Sequence, residues 1–300
     1  MRADADYRRG SRGVPASERR GRGSRARKAC AMTFGDDLNL IPVAVLGLGE
    51  AGALLARDLV RGGARVRGWD PDFHGDLSEI PLAISLADAL DGALLVLSVN
   101  WATVALDVAR AAVPALVPGC LYADLNTAGP QLKIDLAAIV EPSGAEFVDV
   151  AMMAPVPPLG LRVPMFLAGP AAEKLAMFLH RFGTPIEVVG RRPGEAAARK
   201  LCRSVFFKGV SSAVWEALEA ARKVGVEDWL RSDIVASFEG WDATTLERMI
   251  DGTAKHANRR AHEMRDAAAL LTELGVPPIM AGATATSLER IAASTQKKRA

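Results

Sequence analysis

The chain has 300 residues, half of them hydrophobic, with 37 basic and 35 acidic side chains and a net charge of +2. That length can bury one large core or two moderate ones, and no apolar run is long enough to span a bilayer. Three scattered cysteines, Cys30, Cys120 and Cys202, exclude a disulfide framework and suit a reducing cytoplasm, while scarce histidine without paired spacing argues against a bound metal.

Residues 1–31 hold ten basic side chains against three acids, so the rest of the chain carries a net charge of −5. With almost nothing apolar to bury, a basic tail over residues 1–40 is expected to be disordered. It lacks the apolar stretch of a signal peptide. An over-long start with Met32 as initiator ranks ahead of a solvated tail, and a nucleic-acid-binding arm comes last. The acidic body argues against nucleic acid as a partner.

The chain turns on Gly47-Leu48-Gly49-Glu50-Ala51-Gly52. The apolar run Val43 to Leu46 reads as a buried strand, and a helical pattern opens directly after the glycines. Gly47 permits a sharp turn, Gly49 lets a pyrophosphate approach the backbone, and Gly52 lets the helix pack on the strand. The free amides and dipole of that helix suit a diphosphate. The helix runs through Leu54, Leu55, Leu59 and Val60 and stops at Gly62-Gly63. A second strand, Arg65 to Trp69, ends at Asp70, 18 positions past Gly52, where an acid can accept bonds from ribose hydroxyls. Such an acid favours NAD over NADP. Arg65 and Arg67 keep NADP open, although Arg67 points to the other face of the strand from Asp70 and can be simply solvated.

A helix from Ile84 to Leu90, a strand from Leu94 to Val99 and a helix from Trp101 to Val113 follow. The next elements are a strand from Leu121 to Leu125, a helix from Leu132 to Val140 and a strand from Phe147 to Val150. Then come a strand from Pro164 to Leu167, a helix from Ala171 to Phe182 and a strand from Ile186 to Val189. Alternating strands and helices imply a parallel sheet covered on both faces, with ligands beyond the carboxyl ends of the strands. Ser98, Val99 and Asn100 and the segment Asp124 to Thr127 therefore join the glycine loop around one crevice. After Gly190 only helical patterns remain: Gly194 to Val224, Asp228 to Phe238, Ala243 to Ile250, His256 to Leu274 and Ile279 to Ile291. The expected class is α/β, a Rossmann-type doubly wound, mainly parallel sheet over 41–190, followed by an all-α C-terminal domain over 191–300 for substrate and dimerisation.

On the long helix, Ser204, Phe207 and Ser211 fall within about 40° of Lys200 at about 100° per residue. A lysine among hydroxyls and an aromatic is unusual for a solvated face, though a snorkelling surface lysine is the plain alternative. Arg199, Arg203 and Lys208 lie off that stripe and look like solvated cations.

From about residue 41 to 295 the chain resembles the β-hydroxyacid dehydrogenases, which include 3-hydroxyisobutyrate and 6-phosphogluconate dehydrogenases. The glycine loop matches the family's cofactor loop. Asp124-Leu125-Asn126-Thr127-Ala128-Gly129-Pro130 resembles its substrate loop, and Gly194 to Lys200 resembles the segment that opens its interdomain helix. Phe207-Lys208-Gly209 and Gly160 to Pro164 are closest to an uncharacterised phosphogluconate-dehydrogenase-like branch. The resemblance makes Lys200 the catalytic lysine and argues against imine reductases, which usually replace it. Three departures stand out. Ser204 replaces the usual Asn, Met153-Ala154-Pro155 replaces a Ser-Gly-Gly, and Phe207 stands where decarboxylating members carry a Glu acid.

The implied function is NAD(P)-dependent oxidoreduction at a CH–OH group of a small β-hydroxy acid or related carbonyl compound. Lys200 would serve as general acid/base, Asn126 and Thr127 as neutral carboxylate donors, and Ser204 would steady the lysine or the substrate. Gly47, Leu48, Gly49, Glu50, Ala51, Gly52, Asp70, Ser98 and Val99 would bind the cofactor. Arg259, Arg260 and His262 form a second basic group, either an anion contact or a solvated face. The resemblance also implies a cytoplasmic homodimer, and Trp215, Trp229 and Trp241 fit a core or an interface. A catalytically silent NAD-binding redox sensor is the competing class, for which the altered Ser-Gly-Gly and Asn positions leave room.

Overall fold

The structure is a computed structural model that describes residues 41–73 and 78–297. The expected basic tail, including Cys30 and Met32, lies outside the described residues.

The first element, β1 (Pro42–Leu46), runs into α1 (Glu50–Arg61) and β2 (Arg65–Trp69). Next come α2 (Leu86–Leu90), β3 (Leu95–Ser98), α3 (Ala105–Ala112), β4 (Leu121–Asp124), α4 (Pro130–Val140) and β5 (Glu146–Met152). The sheet closes with β6 (Met165–Ala168), α5 (Ala172–His180) and β7 (Ile186–Gly190). The strand order is β2-β1-β3-β4-β5-β6-β7, parallel except where β5 meets β6. That exception follows from the connection: no crossover helix separates the two strands, so the chain must return antiparallel.

Alternation along the strands feeds two cores. Val43 and Val45 face Leu55 and Leu59 of α1, Leu97 of β3 and Phe178 of α5. Ala44 and Leu46 face the other way, toward Tyr122, Leu136 and Phe147. Each leucine buried from water in this way stabilises the fold by about 1.5–3 kcal/mol. The sheet order reverses direction at β1, which is flanked by β2 and β3, so a crevice opens at the carboxyl ends of these strands.

After β7 the chain is helical: α6 (Glu195–Lys223), α7 (Glu227–Glu239), α8 (Ala243–Glu273) and α9 (Ile279–Lys297). At about 1.5 Å per residue, α6 is on the order of 40 Å long. The sequence pattern breaks α8 into two helices; the structure joins them across a kink at His256, whose φ of −115° is non-helical. The pattern also starts α3 at Trp101, but residues 101–104 form a turn and the helix begins at Ala105. Pro114 then turns residues 113–115 into a 3-10 segment, as the loss of an N–H donor requires. Likewise α2 begins two residues after the expected Ile84, because Ser85 caps it by accepting from the Asp88 amide. Among the described residues no helix is long and apolar enough to cross a membrane, and no group of three His, Cys, Asp or Glu side chains could hold a metal ion.

Candidate active site

The loop after β1 shows why glycine stands at its positions. Gly47 has φ of +100°, and a Cβ there would lie 2.3 Å from the Val99 carbonyl oxygen. A Cβ on Gly52 would lie 2.0 Å from the Gly47 carbonyl oxygen. Both are contacts that no side chain tolerates. Gly49 is the opposite case: nothing lies within 4 Å of its missing Cβ. Gly49 is also the N-cap of α1, and no side chain caps that helix. An uncapped helix start behind open space is the cradle a diphosphate needs. It opens on a cavity of about 890 Å³ lined by residues 46–52, 69–73, 99–104 and 125–127, with Val108 and Met152. A dinucleotide fits the residues present there.

Asp70 ties this mouth together. Its Oδ2 accepts the Leu48 amide at 2.8 Å and its Oδ1 accepts the Asp72 amide at 3.0 Å. Each carboxylate oxygen has a second lone pair left for a ribose hydroxyl. Arg67 is not the free solvated cation expected from the sequence. It donates to the Asp88 carbonyl at 2.8 Å and pairs with its carboxylate at 3.2 Å.

The ends of β3 and β4 lie side by side, with Ser98 in register with Asp124. Val99 lines the cavity, but Ser98 is fully buried and reaches it only through Asn100 and Asn126, to which its hydroxyl is hydrogen bonded at 3.1 and 3.4 Å. The Asn126 amide nitrogen donates to Asp124 Oδ2 at 2.6 Å and to Asn100 Oδ1 at 2.9 Å. Both amide hydrogens are thereby used inside the protein, so Asn126 offers no donor to a carboxylate; its Oδ1 is buried without a partner. Thr127 is exposed at the cavity wall.

Behind this loop lies a group that the sequence reading missed. Lys133 of α4 is 1% exposed. Its Nζ donates to Asp124 Oδ1 at 2.5 Å and to the Asp124 carbonyl at 2.8 Å, and lies 3.4 Å from Asp149 Oδ1. Burial is the largest influence on the Asp124 carboxyl and raises it above the ordinary carboxylate range, with Lys133 and Asn126 opposing. Asp149 Oδ2 in turn accepts the amides of Gly194, Ala196 and Ala197 at 3.0–3.1 Å. A carboxylate thus caps the first turn of α6, where the helix dipole favours negative charge. Gly194 itself has φ of +95°, and a Cβ there would lie 2.9 Å from the Pro130 carbonyl oxygen, so α6 starts hard against α4. One sequence signal could have found Lys133: it shares a helix face with Leu136, Ala137 and Val140, all buried.

Lys200, less than two turns into α6, is half-buried, and its Nζ donates to Thr127 Oγ1 at 2.8 Å. Burial, followed by the positive charges of Lys133 and Lys208, pushes its pKa down to about 8. Ser204 is half-buried one turn further on. Phe207 is covered on one face by the Arg203 guanidinium, 4.2 Å from the ring centre, and Arg203 also donates to the Met153 carbonyl at 3.1 Å. Arg203 therefore braces α6 against the chain after β5 and is not a merely solvated cation. Arg259, Arg260 and His262 do not meet at this cavity. Arg259 pairs with Glu263, Arg260 donates to Thr253 at 2.8 Å in a separate groove between α8 and α9, and His262 contacts Arg265.

Comparison with known proteins agrees with this architecture. Residues 221–291 match a domain of unknown function, DUF1932. An uncharacterised 28.5 kDa protein encoded in the 7S RNA 5′ region of Methanothermus fervidus is 28% identical over 172 residues, 57% of this chain. The chain spans 66% of that relative's length. A conserved hypothetical protein from Sinorhizobium meliloti is 30% identical, with 83% of this chain and 87% of that one covered at a TM-score of 0.55. A protein of unknown function described as structurally similar to 3-hydroxyacid dehydrogenases is 27% identical, with 85% and 99% covered at 0.56. An imine reductase from Myxococcus stipitatus, solved with NADP+, shares the fold at 19% identity, with 85% and 94% covered and a TM-score of 0.72. The chain is thus similar, across most of its length, to 3-hydroxyacid-dehydrogenase-like proteins and imine reductases.

Proposed function

We propose that this protein is an NAD-dependent oxidoreductase that moves hydride between nicotinamide and a small β-hydroxy acid or the matching carbonyl compound, with Lys200 as general acid/base. The observation that carries the reading is the 2.8 Å bond from Lys200 Nζ to Thr127 Oγ1, at the wall of the glycine-loop cavity.

A bound nicotinamide supplies the hydride acceptor or donor. The chain's own residues do the rest. The open backbone at Gly49 and the uncapped start of α1 hold the diphosphate, and Asp70 accepts from the ribose hydroxyls. With Asp70 at the end of β2 and Arg67 held by Asp88, a diol is favoured over a 2′-phosphate, hence NAD over NADP. Thr127 accepts from Lys200 through its oxygen, so its own hydrogen is free to donate to substrate. Asn126, with both amide hydrogens held by Asp124 and Asn100, fixes the loop that presents Thr127. As the neutral amine, Lys200 takes the hydroxyl proton during oxidation; as the ammonium it polarises the carbonyl in reduction. A pKa of about 8 serves both directions near neutral pH. Ser204 steadies the lysine from the same helix face.

A homodimer is part of the reading. Val205 and Trp215 on α6 are 76% and 75% exposed, Trp229 on α7 is 65% exposed, and α7 buries none of its residues within one chain. So large an uncovered apolar surface suits a second copy. Incubation with NAD and a panel of small β-hydroxy acids tests the function. Reduced nicotinamide absorbance is expected with one or more of them; NAD binding without turnover of any would favour a redox sensor.

A further inference from the structure

We propose that Lys133 is a positioning residue for the reaction: it bridges Asp124 and Asp149, and so holds the 124–127 loop against the amino end of the helix that carries Lys200. The proposal rests on the reading of Lys200 given above.

A lysine this deeply buried is unfavourable unless its charge is paired, and an apolar side chain of similar size would fill the same stripe of α4 without that penalty. The two carboxylates divide their oxygens in the same way. Asp124 gives Oδ1 to Lys133 and Oδ2 to the Asn126 amide. Asp149 turns Oδ1 toward Lys133 and gives Oδ2 to three amides of α6. Each acid thus ties Lys133 to one part of the site, the loop in the first case and the helix in the second. Lys200 and Thr127, which meet at 2.8 Å, are carried by those same two parts. A shift of about 1 Å between them would cost on the order of a hundredfold in rate.

The bridge also acts through charge. Lys133 sets a positive charge near Lys200, and the carboxylates bound to it offset that charge. Removing Lys133 makes the surroundings of Lys200 more negative and favours its ammonium. Removing the charge of Asp149 makes them more positive and favours its amine. The charged groups that bear on Lys200 are Lys133 from α4 and Lys208 from its own helix, with Asp124 from β4 and Asp149 from β5 bound to Lys133. On α6, Glu195 is paired with Arg192, while Arg199 and Arg203 donate to backbone carbonyls.

The test is competitive acetylation of Lys200 across pH, read by mass spectrometry on the full chain, for wild type, Lys133→Met and Asp149→Asn, alongside NAD binding. Asp149→Asn keeps an oxygen acceptor for the α6 amides and keeps the test open if Lys133→Met fails to fold. Lys133→Met is expected to raise the labelling midpoint, lowering Lys200 labelling at neutral pH roughly threefold or more, while Asp149→Asn lowers the midpoint. NAD affinity should stay within about twofold of wild type in both, since the glycine loop and Asp70, which neither residue bonds to, hold the diphosphate and ribose. Wild-type labelling profiles, or shifts in the same direction, would overturn the proposal. Full turnover in a Lys200→Ala variant would instead sink the reading of Lys200 and leave the labelling result standing.

Discussion

Lys200 Nζ donates to Thr127 Oγ1 across 2.8 Å, and this bond joins the helical half of the chain to the wall of the glycine-loop cavity. It links residues 73 positions apart. Around it the protein has gathered an uncapped helix start, an acid for a ribose and a buried ion bridge. The chemistry proposed here depends on these being held together.

The pH dependence follows from the lowered pKa of Lys200. Oxidation needs the amine, so its rate should rise with pH and level off above about 8; reduction needs the ammonium and should fall over the same range. Rate profiles in the two directions check this. The sign for stability is separate. The folded pKa of about 8 lies below the ordinary 10.5, so the unfolded chain binds more protons between these values. The contribution of this group to stability therefore rises with pH across that window. Chemical denaturation of wild type and Lys200→Met at pH 8 and 10 should show wild type gaining stability relative to the variant as pH rises.

Asp70→Ser should loosen NAD by roughly tenfold, the scale expected for hydrogen bonds to a charged acceptor. Its affinity for NADP relative to NAD should rise. Calorimetric titration with each cofactor measures both. An unchanged ratio would show that the acid does not choose the cofactor.

Gly52→Ala should destabilise the fold by about 1–3 kcal/mol, because the added methyl meets the Gly47 carbonyl oxygen at 2.0 Å. Gly49→Ala meets nothing in the protein itself. It should leave thermal stability near wild type while weakening NAD, since its methyl occupies the space where the diphosphate comes close. Thermal melts with and without NAD separate the two effects.

Much of the fold was legible because local and global signals agree. Val43 to Leu46 alternates between two buried faces, and the glycines that follow are forced by φ or by close approach. Element starts were less legible: whether residues 101–104 turn or coil into a helix is decided by how the chain leaves β3. In the site, Lys200, Thr127 and Asp70 stand in motifs whose spacing can be read along one strand or helix. The burial of Lys133 can be read along α4, but its pairing with Asp124 and Asp149 cannot, because the partners come from β4, β5 and α6 at once. Asn126 was visible as a polar residue, but its use as a donor was not to be inferred, because Asp124 and Asn100 take both amide hydrogens. Arg203 looked solvated because the Met153 carbonyl that it reaches lies 50 positions away.

The exposed apolar face of the helical half predicts self-association. Sedimentation should give a dimer for wild type, and a Val205→Asp, Trp215→Asp double variant should dissociate toward monomer at the same concentration. A monomeric wild type would leave that surface without the second copy proposed for it.

The central measurement is turnover of Lys200→Ala beside wild type, with NAD and whichever β-hydroxy acid the wild type oxidises. Loss of a general acid/base should lower kcat by about 10²–10⁴-fold, with NAD affinity nearly unchanged. Equal turnover by the variant would contradict the role given to this amine.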